Sequence, residues 1–417
     1  MKEVKIISEI NDDNKDDCNG YSIYALNSFL ILIITFIICF YILYFTSISF
    51  FDFLKEKNHI DLTKFIEYVK DCNNSIIYDR EKIYNKYPYI ALCLSAFNME
   101  RFIEKNIFSI INQSFQDFEI IIVNDASEDE TENIVKRMQL DDDRIKLISH
   151  SKNLGVYRSR IESILNTKSK FILLMNPDVM YMNENLFQDL YNINIKQNFD
   201  IIEFSVFQQC EGRNKINYPR NDNERHFHKF SRDIIYQPEL SSILFYLPGT
   251  NKYSPIICRN IWNKLIRKNI FLQINNYLGK EYYHKFIISA DDIIMNIVSY
   301  QFANNYTNKN IPGYLYTIRK DNNKIDNENR KLKEIRAMNY LLYFKLFYKY
   351  IHDYNQDINF LYFEMNSLNK FILELKESKM IQYKKILLSL INKILNEKNV
   401  SVYFKSYLEN MLMYFKY

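Results

Sequence analysis

Little in this 417-residue chain is glycine, proline or tryptophan: there are 6, 7 and 1 respectively. That scarcity excludes collagen-like repeats, Gly/Ser linkers and proline-rich ligand segments. The 6 cysteines (Cys18, Cys39, Cys72, Cys93, Cys210 and Cys258) form no CxxC pair and no Cys/His metal spacing, and a disulfide framework is not expected in a chain this long. Charge of one sign is also missing. With 54 basic against 50 acidic residues the net charge is +4, so no electrostatic footprint for nucleic acid is present. Neither GxGxxG nor GxxxxGK[ST] occurs, which argues against a dinucleotide-binding or P-loop site.

A hydrophobic set of 47% against 25% charged residues is enough for a large core. From Cys18 to Phe51 no residue is charged, and Phe29 to Phe45 is almost purely apolar. At 1.5 Å per residue, about 20 such residues cover a bilayer core of about 30 Å, so residues 29–51 are expected to form a transmembrane anchor. The acid-rich tail before it (Asp12, Asp13, Asp16, Asp17) does not suit a cleaved signal peptide. Flanking lysines tie, leaving orientation open. A polar tail over 1–28 and a stem over 52–87 complete the N-terminal reading.

From Tyr89 the pattern becomes strand–helix alternation. Strands are expected at Tyr89–Ser95, Phe118–Val123, Arg144–Ile148 and Lys170–Met175, with a further one at Asp200–Phe207. Helices are expected around Phe102–Ile111, after Ser127 as N-cap, and over Val156–Leu165. Continuously apolar strands in such alternation indicate a mostly parallel sheet covered on both faces. Residues 211–232 read as a polar surface loop. Apolar stripes beginning at Leu332, Leu361 and Leu387 predict a C-terminal helical region over 326–417.

Ligands of open parallel sheets bind beyond the carboxyl ends of the strands. Three of the expected strands end in polar groups: Phe97-Asn98, Asn124-Asp125 and Asn176-Pro177-Asp178. Asp and Asn favour turns anyway, which accounts for any single case. Two carboxylates and an aromatic ring on one rim could instead hold a nucleoside diphosphate, the metal sharing one carboxylate with the phosphates.

These segments resemble the family 2 glycosyltransferases, which have a GT-A, Rossmann-like nucleotide-sugar-binding fold. The likeness runs through Leu94–Glu100, Ile107–Ser127, Asn153–Arg160 and Phe171–Asp178. Weaker echoes occur at Ile261–Leu265, Ser289–Ile294 and Tyr314–Arg319, so 88–325 would be the catalytic domain. The resemblance implies an inverting, metal-assisted transfer of a sugar from a nucleotide-diphosphate donor, a UDP-sugar by expectation, to a hydroxyl of a glycan, lipid or protein. The enzyme would be of the hexosyl- or N-acetylhexosaminyl-transferase class. It implies that Phe97 stacks on the base, that Asp125 binds it, and that Asn98, Glu100, Arg160 and Asn176 lie around the nucleotide. Asp178 would hold Mn²⁺ or Mg²⁺. Asp292, with Asp291 before it, would be the catalytic base, although two carboxylates also suit a helix N-terminus.

Departures from the family pattern are Asn124, Asn176 and Val179, which remove charge from the acidic motifs, and Ala126 in place of a glycine. A catalytically inactive GT-A scaffold or partner subunit is therefore the alternative, and a nucleotidyltransferase of similar topology a third reading. By analogy with single-anchor enzymes of the secretory pathway, a Golgi or endoplasmic-reticulum location with a lumenal catalytic domain is expected.

Overall fold

The computed structural model describes residues 63–210, 216–217, 234–237, 240, 260–318, 330–358, 361 and 381–416. The chain divides into two compact units, 1–63 and 64–417, and the described residues belong almost wholly to the second. The expected tail over 1–28, the anchor over 29–51 and most of the polar loop over 211–232 lie outside the described residues.

Helix α1 (Thr63–Asn73) precedes strand β1 (Ile90–Ala96), helix α2 (Ile103–Ile111), β2 (Phe118–Asn124), α3 (Thr131–Asp141), β3 (Ile145–Ser149), α4 (Val156–Leu165) and β4 (Phe171–Met175). Every strand expected in this stretch is present. Strands β2 and β4 are buried end to end and β1 at every position but Ser95, and their pleat sorts alternate side chains onto two cores. Ala91, Cys93, Ile121, Ile172 and Leu174 face one side, whereas Ile90, Leu92, Ile120, Ile122, Phe171 and Leu173 face the other. The alternating faces explain why these segments read as unbroken apolar runs.

The described sheet has ten strands, with the order β3-β2-β1-β4-β9-β6-β10-β5 along its main path. The first four are parallel. Beyond them stand β5 (Met180–Tyr181), α5 (Leu186–Gln197), β6 (Ile201–Cys210), β7 (Ile216–Asn217), β8 (Ile234–Tyr236) and β9 (Lys264–Arg267). Strand β9 lies antiparallel between β4 and β6, so the sheet is mixed rather than mostly parallel. Its four residues include two cations and give no apolar run to read. Lys264 is nevertheless fully buried, with Nζ 3.2 Å from Glu203 Oε2, which also accepts from Tyr300 and Tyr306.

The chain continues through α6 (Lys268–Tyr283), α7 (Asp291–Phe302), β10 (Asn305–Ile318), α8 (Arg330–Asp353), α9 (Ile381–Leu395) and α10 (Val402–Lys416). Buried residues of α8 to α10 share one core with α4, α6 and α7. The other core holds α1 to α3 and α5. Part of the expected stem thus belongs to the folded body: Tyr68 and Cys72 are buried, and the Tyr68 hydroxyl donates to Ser109 O at 2.8 Å. Ser127 does not cap α3. Helix α3 starts at Thr131, whose N–H donates to Asp129 Oδ1 at 3.0 Å, while Ser127 Oγ accepts from Asn98 N.

Candidate active site

Parallel pairing sets Ala96 opposite Asn124 and Leu94 opposite Met175, which brings the tips of β1, β2 and β4 to one edge. At about 4.8 Å per strand, the tips of β2 and β4 stand roughly 10 Å apart with β1 between. Phe97 leaves β1 with 40% of its surface exposed, a large apolar ring open to solvent on that rim.

Its neighbours do other work. Asn98, at φ 54°, accepts from Glu128 N at 2.9 Å. Glu100 N donates to Asp129 Oδ2, and Glu100 Oε2 accepts from Glu130 N, both at 3.1 Å. Asn98 and Glu100, expected at the nucleotide, zip the loop after β1 to the loop after β2.

Asp125 is likewise committed to the fold. It is 2% exposed, and its carboxylate accepts from Leu154 N (2.8 Å), Gly155 N (2.9 Å) and His150 Nδ1 (2.7 Å). The other ring nitrogen of His150 lies 2.6 Å from Glu162 Oε2. An imidazole between two carboxylates donates from both nitrogens only as imidazolium. Burial lowers the proton affinity of His150, but hydrogen bonds to Asp125 and Glu162 outweigh it and the net shift is upward. Asp125 therefore anchors the 150–155 loop, with two hydrogen bonds accepted on Oδ1 and one on Oδ2, which keeps capacity for a further donor.

That loop leads to the other half of the site. Gly155, at φ 94°, bridges to Ile287 so closely that a Cβ would lie 2.6 Å from Ile287 O. Three residues after Ile287, Ala290, at φ 62°, turns the chain into α7, whose first two residues are Asp291 and Asp292. Arg160 on α4 joins the two halves. It is 6% exposed, with Nη1 donating to Asp291 Oδ2 at 2.5 Å and Nη2 to Asn176 Oδ1 at 2.7 Å. Burial and the adjacent Asp291 push the Asp292 carboxyl up to about 6, against the pull of Arg160. A half-buried carboxylate of near-neutral proton affinity is suited to accepting a proton at physiological pH.

Asp178, at the tip of β4, lines a cavity of about 410 Å³ together with Arg101, Phe102, Lys105, Val179 and Met180. Asp125 is not among its lining residues. Beside Asp178 the Tyr314 hydroxyl is buried without a hydrogen-bond partner; burial, then the charge of Asp178, hold its proton tightly. Trp262 stacks on Tyr314 with centroids 4.1 Å apart and is 9% exposed, which makes it a packing residue behind the site.

Among the described residues no group of three or more His, Cys, Asp or Glu side chains could hold a metal. Asn176 spends its carbonyl oxygen on Arg160, leaving Asp178 as the one carboxylate at this tip. Such a donor set fits Mg²⁺ or Mn²⁺ only where a diphosphate and water supply the other ligands, as these ions accept.

The structure thus assembles Arg160, Asn176, Asp291 and Asp292, sets Asp178 next to them through Tyr314, and places Phe97 on the rim. The sequence reading missed the Asp125–His150–Glu162 clamp and the Gly155–Ile287 bridge. Their members lie 12 to 132 positions apart, with no spacing signal to link them.

Residues 91–271 match the family profile described as Glycosyl transferase family 2. Among curated proteins, the glycosyltransferase EpsJ of Bacillus subtilis is 24% identical over 216 residues, covering 52% of this chain and 57% of that protein. A GalNAc(5)-diNAcBac-PP-undecaprenol beta-1,3-glucosyltransferase of Campylobacter jejuni is 33% identical over 92 residues, covering 22% of this chain and 30% of that protein. A cholesterol galactosyltransferase of Borreliella burgdorferi is 24% identical over 234 residues, 54% of this chain and 60% of its own. The chain therefore spans less than two thirds of these relatives. Among solved structures, residues 1–349 of S. aureus TarS in complex with UDP align with a TM-score of 0.51 at 17% identity, covering 78% of this chain and 88% of that one.

The expected placement as a single-pass Golgi or endoplasmic-reticulum protein with a lumenal catalytic domain is corrected by two findings. Among the described residues no helix is long and apolar enough to cross a membrane, and the relatives named are bacterial glycosyltransferases, from cells without a Golgi. Together, the sheet, the strand-tip site and the matched profile identify residues 91–271 as a family 2 glycosyltransferase domain.

Proposed function

We propose that this chain transfers a sugar from a nucleoside diphosphate donor to an acceptor hydroxyl with inversion, and that Asp292 is the base. The observation that carries the reading is the state of Asp292: half-buried, on the first turn of α7, with a proton affinity pushed up to about 6. The acceptor oxygen attacks the anomeric carbon, the bond from that carbon to the diphosphate oxygen breaks, and Asp292 takes the hydroxyl proton. Asp178 would hold a divalent ion, whose chemistry is to neutralise charge on the leaving diphosphate. Phe97 offers its ring to the base from the rim. The UDP bound by TarS, a protein of the same fold, supports a uridine donor, and the relatives' names support lipid-linked or sterol acceptors as first candidates.

The test is a full-length preparation assayed for turnover of UDP-glucose, UDP-galactose and UDP-N-acetylglucosamine with Mg²⁺ or Mn²⁺. Asp292→Asn should lower turnover by about 10²–10⁴-fold while donor binding persists. Asp178→Ala should weaken metal-dependent donor binding. Wild-type activity should rise with pH through about 6, because the base must be ionised. The inactive-scaffold reading draws on Asn124 and Asn176, whose side chains serve Glu132 and Arg160. Donor binding absent with every metal would favour it, and pyrophosphate release from a nucleoside triphosphate would favour a nucleotidyltransferase.

A further inference from the structure

Arg160 is 6% exposed and sits between the tip of β4 and the first turn of α7. Nη1 donates to Asp291 and Nη2 to Asn176, so two of its five N–H groups tie the start of α7 to the tip of β4. We infer that Arg160 is a positioning residue for the base rather than a contact for the nucleotide: it fastens the tip of β4 to the first turn of α7 and supplies the counter-charge under which Asp292 ionises. The inference rests on the reading of Asp292 as the base.

Three observations support it. A planar guanidinium with two acceptors at fixed angles sets a distance as well as an energy. Here the distance set is between the loop carrying Asp178 and the helix end carrying Asp292. Position 176 holds a neutral amide, so among the described residues the carboxylate hydrogen-bonded to Arg160 is that of Asp291, and the guanidinium charge acts on the Asp291–Asp292 pair. Other groups facing the pair do not replace it. Tyr282 of α6 and Tyr157 of α4 keep their protons, chiefly through burial. Asn339 of α8 uses its amide on Ile288 N and Phe286 O. Asp291 raises the proton affinity of Asp292 and Arg160 lowers it. Changing either neighbour should therefore move the same titration in opposite directions.

The experiment measures kcat and KM against pH for full-length wild type, Arg160→Gln, Arg160→Lys and Asp291→Asn, using whichever UDP-sugar the wild type turns over. Arg160→Gln should move the acid limb of kcat/KM to higher pH by about 1 unit or more, with donor KM changed less than about twofold. Asp291→Asn should move it to lower pH. Arg160→Lys keeps the charge and loses the fork, so the limb should stay in place while kcat falls about tenfold. A donor KM raised tenfold in Arg160→Gln with an unmoved limb would make Arg160 a nucleotide contact and overturn the inference. If Arg160→Gln does not fold, Arg160→Lys and Asp291→Asn decide: a limb unmoved in the second refutes the electrostatic role. Asp292→Asn turning over donor as fast as wild type would overturn the base itself, a separate failure.

Discussion

Replacing Asp125 by Asn separates an anchor of the fold from a contact for the donor. An Asn keeps one acceptor oxygen and turns the other into a donor, which must then face Gly155 N–H or the His150 ring, both donors themselves. His150 and Asp125 have side-chain exposures of 7% and 3%, so solvent screens the pair little. Breaking a buried pair from one side costs about 3–5 kcal/mol. For a folded unit of 64–417, larger than the domains for which 1 kcal/mol shifts the melting point by about 2–4 °C, this corresponds to roughly 4–10 °C. The loss carries a pH signature. His150 has a raised proton affinity in the folded state, so its contribution is complete below the unfolded histidine value of 6.5 and fades as pH rises through the folded value. A double-mutant cycle of Asp125→Asn with His150→Gln, followed by thermal unfolding from pH 5.5 to 9, should give a coupling of about 1–3 kcal/mol at the acid end that shrinks toward the alkaline end. An unchanged melting temperature at every pH, with donor affinity reduced, would refute the anchoring role of Asp125.

Other substitutions probe the remaining joints. Gly155→Ala should cost at least about 1–3 kcal/mol by urea unfolding from its positive φ, and turnover should fall because the displaced Ile287 leads directly to Asp292. Lys264→Met should destabilise by about 3–5 kcal/mol, leaving Glu203 uncompensated in the core, and Lys264→Met with Glu203→Leu should recover most of that in the same assay. Phe97→Ala should leave the melting temperature within about 1 °C, since the ring is 40% exposed, yet weaken binding of UDP measured by calorimetry.

Local pattern was enough for the first half of the sheet. Strands β1, β2 and β4 were legible because each is covered on both faces and mostly apolar, with Ser95 and Glu119 the polar residues inside β1 and β2. Their register followed from parallel pairing, and with it the strand-tip edge where Phe97, Asn176 and Asp178 lie. The two-residue β5 and β7 and the cationic β9 carry no such run and stayed hidden.

Residue type along the chain determined which side chains could do chemistry; their partners determined which are free to. A carboxylate is an acceptor wherever it stands, so residue type alone did not separate Asp125, Asp178, Asp291 and Asp292, and only the family resemblance assigned them different roles. Tertiary structure separated them, giving Asp125 to His150 and the 154–155 amides and Asp291 to Arg160, while burial beside that charge set the proton affinity of Asp292. The physical reason is that hydrogen bonding and electrostatic coupling act through distances of a few ångströms in space, between residues the chain holds up to 131 positions apart.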